Sequence, residues 1–168
     1  MTPIYTRTLT GIVYTILFNN IPQTFTDLKV VISGRTDANA AFDGGPSLFF
    51  NNATTGTNHS QTAITGNGSA ATSSRTADIA VYFGDVSAAT GTANTFSNTE
   101  FYIPNYTSNN FKSLTIDNVA ENNTTTAYQN LRAGLWRNSA AITSIGIFGG
   151  SGNWVSGSTF SLYGITKG

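Results

Sequence analysis

The stretch "FTDLKVVISGRT", residues 25–36, carries the fold in its alternation. Leu28, Val30 and Ile32 fall on one side and Asp27, Lys29, Val31 and Ser33 on the other, the period-two pattern of a strand with one buried face. The preceding "NNIPQT" (19–24) reads as a turn, because Pro22 fixes its own φ and keeps Ile21 out of the helical region. Similar runs recur at 9–18, 47–52, 75–86, 99–106, 111–119, 126–136, 142–148 and 159–166, separated by spacers rich in Gly, Asn and Ser. Apolar stripes of helical spacing are missing. About nine short strands at regular spacing predict an all-β fold, an antiparallel β-sandwich of jelly-roll type.

No composition shift marks a linker, so residues 1–168 are expected to form one domain, with 1–7 ("MTPIYTR") as a short N-terminal arm. Segments 37–46, 53–74 and 87–98 read as long loops on that sandwich, the places where a scaffold usually carries its contacts. In the closing run "GSTFSLYGITKG" (157–168), Phe160 and Leu162 share one face while Tyr163 and Ile165 lie on the other. Apolar groups on both faces predict a strand paired on both sides, flanked by glycines where the chain bends or packs closely.

Eight basic residues balance eight acidic ones, so the chain has no electrostatic footprint for nucleic acid or an anionic membrane, and neither is expected as a partner. Only 10% of residues are charged, against about 25% in ordinary soluble domains. The surface must be built from Thr, Asn, Ser, Gly and Gln. Such near-neutral surfaces are prone to associate, which suits a subunit of a larger assembly, although secreted lectin-like modules share the composition. The absence of cysteine removes disulfide frameworks, thiolate nucleophiles and Cys-ligated zinc. The start has no signal-peptide pattern, and no run approaches the roughly 18 apolar residues of a membrane-spanning helix. The expectation is a protein assembled inside a cell, or one that leaves it by lysis.

Catalytic patterns are scarce. The single histidine, His59, sits in "TNHSQT" without a nucleophile elbow, and its neighbour Ser60 is adjacent only in sequence; a structural or solvated role is expected. One histidine cannot build a catalytic zinc site, so no metal or cofactor is expected. In "DANAAFDGG" (37–45), Asp37, Asn39 and Asp43 are compatible either with a calcium site outside the EF-hand pattern or with Asx-turn chemistry. Paired carboxylates of glycosidase type could come only from the eight acids, several of which lie near strand ends where they commonly cap turns. The chain is therefore expected not to be an enzyme. The N-x-S/T triplets follow from composition and carry no weight. Among aromatic residues that could stack on a sugar, Trp136, Trp154, Tyr106 and Tyr128 stand out. Trp136 reads as core; Trp154, in the Gly/Ser-rich "GGSGNWVSGS" (149–158), is compatible with either exposure and a contact role or burial.

Three stretches taken together, "NNIPQTFTDLKVVISGRTD" (19–37), "FKSLTIDNV" (111–119) and "LRAGLWRNSAAITSIGIFGGSGNWVSGSTFSLYGIT" (131–166), resemble a β-sandwich module of tailed-bacteriophage virion structural proteins. The family's IPQTYTDL-like turn, its W-x-x-x-x-A-I-x-S-I segment and its final SLYGI strand are matched in order at 21–28, 136–145 and 161–165. The matching motifs are strands and turns, not catalytic signatures, and residues 50–100 do not align. The resemblance implies a virion protein, on the capsid surface or the tail, assembled in the host cytoplasm. Because Met1 is followed almost at once by a strand-like run, attachment is expected through the sandwich surface or the arm. That favours a decoration or cement protein on the major capsid protein lattice, the other expected partners being other virion proteins and further copies in a homotrimer. The alternative is a tail-associated protein gripping a host surface glycan. Ile4 and Tyr5 in the arm and Trp154 in its loop are the expected contact residues.

Overall fold

The computed structural model describes residues 1–123 and 125–166. Among them there are fourteen strands and no helix. Eight form one antiparallel sheet: β1 (Thr2–Thr8), β3 (Asp27–Gly34), β6 (His59–Gly66), β7 (Ala71–Asp78), β10 (Ser97–Ile103), β11 (Lys112–Glu121), β12 (Ala127–Trp136) and β14 (Thr159–Ile165). Their spatial order is β1-β14-β3-β10-β11-β12-β6-β7. A four-stranded sheet, β2-β13-β5-β8, is built from β2 (Thr15–Phe18), β5 (Ser47–Phe50), β8 (Val81–Tyr82) and β13 (Ile145–Phe148). The pair β4 (Phe42–Asp43) and β9 (Val86–Ser87) makes a third, minimal sheet.

The pleat sets the core. In the large sheet Leu28, Val30 and Ile32 of β3 align with Phe101 and Ile103 of β10 on one side and with Phe160 and Leu162 of β14 on the other. Leu114 and Ile116 of β11 extend the same face, and all are buried. Ile16, Phe18, Leu48, Phe50, Ile145 and Ile147 of the small sheet join them in one hydrophobic cluster. The result is an antiparallel β-sandwich in which a narrow sheet covers one face of a wide one.

The sandwich expected from the alternation is present, with more and shorter strands than the spacing predicts. The run at 75–86 divides among β7, β8 and β9, because the chain turns at Asp78, whose carboxylate accepts the Ile79 amide at 2.6 Å and the Tyr82 hydroxyl at 3.1 Å. The segment read as a loop at 53–74 holds the β6–β7 hairpin. Its turn is fixed by the Asn67 side chain, which accepts from the amides of Ser69 (3.0 Å) and Ala70 (2.9 Å), with Gly68 at φ 86°. The loop at 87–98 is organised by buried Arg35, whose guanidinium donates to the carbonyls of Ala88 (2.6 Å), Thr92 (2.8 Å) and Thr95 (3.1 Å). The N-terminal segment is not a free arm, since Thr2–Thr8 is β1, paired along β14. β14 in turn lies between β1 and β3, as its two-faced pattern predicts.

Candidate functional site

The expected contact residues do not form one surface. Trp154 is wholly buried, which corrects the expectation of an exposed contact. Its backbone exchanges hydrogen bonds with Val13 (2.8 and 3.0 Å), and it also bridges to Thr36, pulling the 149–158 loop onto the sandwich. The indole lies parallel to Phe83 at 6.4 Å and edge-on to Phe160 at 5.0 Å. Gly34 makes the space, because a Cβ there would stand 2.6 Å from the indole ring. Ile4 occupies the irregularity between Pro3 and Tyr5 and packs, half-buried, against the core. Tyr5 keeps 37% of its surface, its ring edge-on to Phe18 at 5.0 Å.

His59 and Lys112 are both buried. His59 stands in a row of adjacent inward positions with Trp136 and Lys112: it stacks on Trp136 at 6.3 Å and on Phe50 at 5.9 Å, while the Lys112 ammonium lies over the Trp136 ring at 5.8 Å. Neither imidazole nitrogen has a hydrogen bond of ordinary geometry among the described residues. Burial pushes the His59 pKa down to about 4; nearby Arg137 adds to this, while the Ile79 backbone and Asp78 oppose it. Ser60 points to the opposite face of the sheet, so the two cannot act as nucleophile and base. The Lys112 ammonium donates to the carbonyls of Asn110 (2.5 Å) and Ala140 (2.9 Å), and burial lowers its pKa.

The two aspartates of the 37–45 loop tie loops together. Asp43 accepts from Thr36 Oγ1 (3.1 Å) and from the amides of Gly45 (3.0 Å), Ser151 (3.1 Å) and Gly152 (3.3 Å). Asp37 accepts from the Asn153 amide at 2.6 Å, and these bonds lower its pKa. The Asp43–Gly45 bond is local turn chemistry, the others join separate loops, and among the described residues no three His, Cys, Asp or Glu are grouped to hold a metal ion.

What remains uncovered is β-structure. The small sheet shields one face of the large sheet, and the other is open. There the outward positions of β12 read Ala127, Gln129, Leu131, Ala133 and Leu135, beside Thr62 and Ile64 of β6 and Thr115, Asp117 and Val119 of β11. Ile64 is 55% exposed and Leu131 49%. A shallow, almost wholly apolar depression of about 320 Å³ lies among Thr62, Ile64, Thr115, Leu131 and Ala133. Across Leu131 a second of about 300 Å³ is bordered by Tyr102, Asp117 and the Lys29–Glu100 ion pair (2.8 Å). Sequence reading missed this face, although its signal was present: β12 carries apolar residues at both parities, as β14 does.

Of the four aromatic candidates for sugar stacking, Trp136, Trp154 and Tyr106 are buried and only Tyr128 reaches a surface hollow. That hollow, about 510 Å³, is lined by Phe42, Thr90, Thr92, Asn122 and Tyr128, with the two rings edge-on at 5.1 Å. Comparison with protein-family models, with curated proteins and with solved structures found no match.

Proposed function

We propose that this protein is a non-enzymatic structural component of a tailed-phage virion, a capsid decoration or cement protein that lays the open face of its large sheet on the major capsid protein lattice. The observation that carries the reading is that face. Eight strands at about 4.8 Å spacing, and up to ten residues at about 3.3 Å, give an area on the order of 1,000 Å². A stable protein interface needs roughly 800 Å² from each partner. Toward the β7 end of the face the exposed Ile64 and Leu131 sit side by side, with polar positions such as Glu100, Thr115 and Asp117 around them, an apolar patch with a polar surround. The assignment to a phage particle rests on the resemblance of 19–37, 111–119 and 131–166, and the non-enzymatic reading on the burial of His59 and the loop-tying roles of the acids.

The test is incorporation into particles. Leu131→Glu and Ile64→Glu, both at exposed positions, are expected to leave the melting transition in place and to abolish incorporation. Normal incorporation of both variants would remove the sheet face from the account. A second reading, a tail-associated glycan-binding protein, is favoured by the Phe42–Tyr128 hollow, which two aromatic side chains line together with Asn122 and the threonines Thr90 and Thr92. Glycan-array binding lost in Tyr128→Ala, together with density at the tail and none on the shell, would establish it in place of the first.

A further inference from the structure

The large sheet ends at β7, a strand of eight residues with the sequence "ATSSRTAD". It runs beside β6 through eight consecutive pairs without a register shift, from His59↔Asp78 to Gly66↔Ala71. Residues 71–77 are exposed, and among the described residues no strand follows on the far side. An edge of this length presents a row of backbone donors and acceptors, and proteins usually blunt such edges with proline, bulges or inward-pointing charge. β7 has no proline and no bulge. Its inward positions are Thr72, Ser74, Thr76 and Asp78, and the Asp78 carboxylate is taken up by Ile79 and Tyr82.

We propose that β7 is an interface strand that pairs antiparallel with β7 of a second copy about a two-fold axis, joining two large sheets into one. The strand's own residues choose the occupant and the register. Directly opposed residues in a continuous sheet share a face, so a two-fold pairing must set residues of equal parity against each other. Two registers then pair seven residues of β7. One places Arg75 against Arg75 of the other copy, two like charges directly opposed, which is destabilising. The other places Ser74 on the axis, with Ser73 facing Arg75, Thr72 facing Thr76 and Ala71 facing Ala77. Every pair in that register is small or hydrogen-bonding and none repels. The chain has no net charge to hold two copies apart. A closed ring of three by strand addition would instead require β7 to meet β1, where Pro3 and the irregularity at Ile4 interrupt pairing. The two-fold also sets the Ile64 and Leu131 patches of both copies on the same side of the joined sheet.

The natural absence of cysteine allows a direct test. In the inferred register residue 74 faces itself at the roughly 5 Å Cα separation that a disulfide spans. Residue 76 lies about 13 Å along the strand from its own copy. Under mild oxidation, Ser74→Cys is expected to give a covalent dimer and Thr76→Cys to remain uncrosslinked. Sedimentation of the unmodified protein should give twice the 17.7 kDa chain mass, and Ser74→Lys should return it to a monomer that keeps its β-sheet circular dichroism spectrum and a cooperative melting transition. A monomeric or trimeric unmodified protein, or equal crosslinking at 74 and 76, would overturn the proposal. A monomer whose β7 amides become protected only on adding another virion protein would identify a different partner for this edge.

Discussion

Strands β1 and β7 close the same sheet from opposite ends, and the chain finishes the two ends differently. β1 carries Pro3, which has no amide to donate, an irregularity at Ile4, and Arg7 on the core side opposite Phe160. Thr6 and Thr8 are tied across to Ser161 (3.2 Å) and Thr159 (3.1 Å), and Tyr5 and Ile4 reach back to the core. β7 has no proline and no register shift along β6, and its one inward charge, Asp78, is bonded within its own turn. One edge is sealed against pairing and anchored by side chains; the other is held mainly by backbone bonds to β6 and left open. The contrast teaches that at the β12-β6-β7 corner an open edge meets two exposed apolar side chains, Leu131 and Ile64.

The largest effect is expected at the sealed end. Ending the chain at Ser158 removes β14, which holds β1 on one side and β3 on the other, so the cooperative thermal transition should vanish in circular dichroism. An unchanged transition would show that the sealed end is dispensable and would break the comparison outright. Next comes Trp154→Ala, which empties the site between Phe83, Phe160 and Gly34 and should cost about 3–5 kcal/mol in denaturant unfolding. A cost under about 1 kcal/mol would place the indole outside the core.

The open side has its own sensitivity, through His59 on β6. Its pKa is lowered from 6.5 in the unfolded chain to about 4 in the fold, so the unfolded state binds the proton more readily. Stability is therefore full above about pH 6.5 and falls as pH drops toward 4, by about 3 kcal/mol. His59→Phe should remove that increment from the pH profile, and amide exchange should show β6 and β7 losing protection before β1 and β14 as the solution is acidified. Identical profiles for the two proteins would contradict the buried neutral imidazole. The smallest contrast separates the edges directly: Tyr5→Ala should cost about 1–2 kcal/mol through its lost contact with Phe18, and Ser74→Ala less than about 0.5 kcal/mol. Equal costs would erase the distinction.

How much of this could be read from sequence depended on side-chain size. In β3, β11 and β14 the inward positions are Leu, Val, Ile and Phe and the alternation is plain. In β6 and β7 they are His59, Gln61, Ala63, Ser74 and Thr76, so a period of two carries almost no hydrophobic contrast and the hairpin resembles a polar loop. Trp154 was ambiguous because its neighbours are Gly and Ser, while the features that bury it, the bridges to Val13 and Thr36 and the bare Cα of Gly34, lie more than a hundred residues away. The N-terminal strand is hard to read for a related reason: its partner β14 is at the other end of the chain, and only two of its apolar side chains, Ile4 and Tyr5, pack toward the core. The open apolar face was written at the odd positions of β12 but needed the sheet order to bring Leu131 beside Ile64.

The most direct measurement is an electron-microscopy map of the assembled particle at a resolution that traces strands. The expected result is the β12-β6-β7 corner packed against protein, with Leu131 and Ile64 on the shell and β7 continued by a strand of another copy. A map in which that corner faces solvent while β1 or the Phe42–Tyr128 hollow makes the contacts would contradict the account.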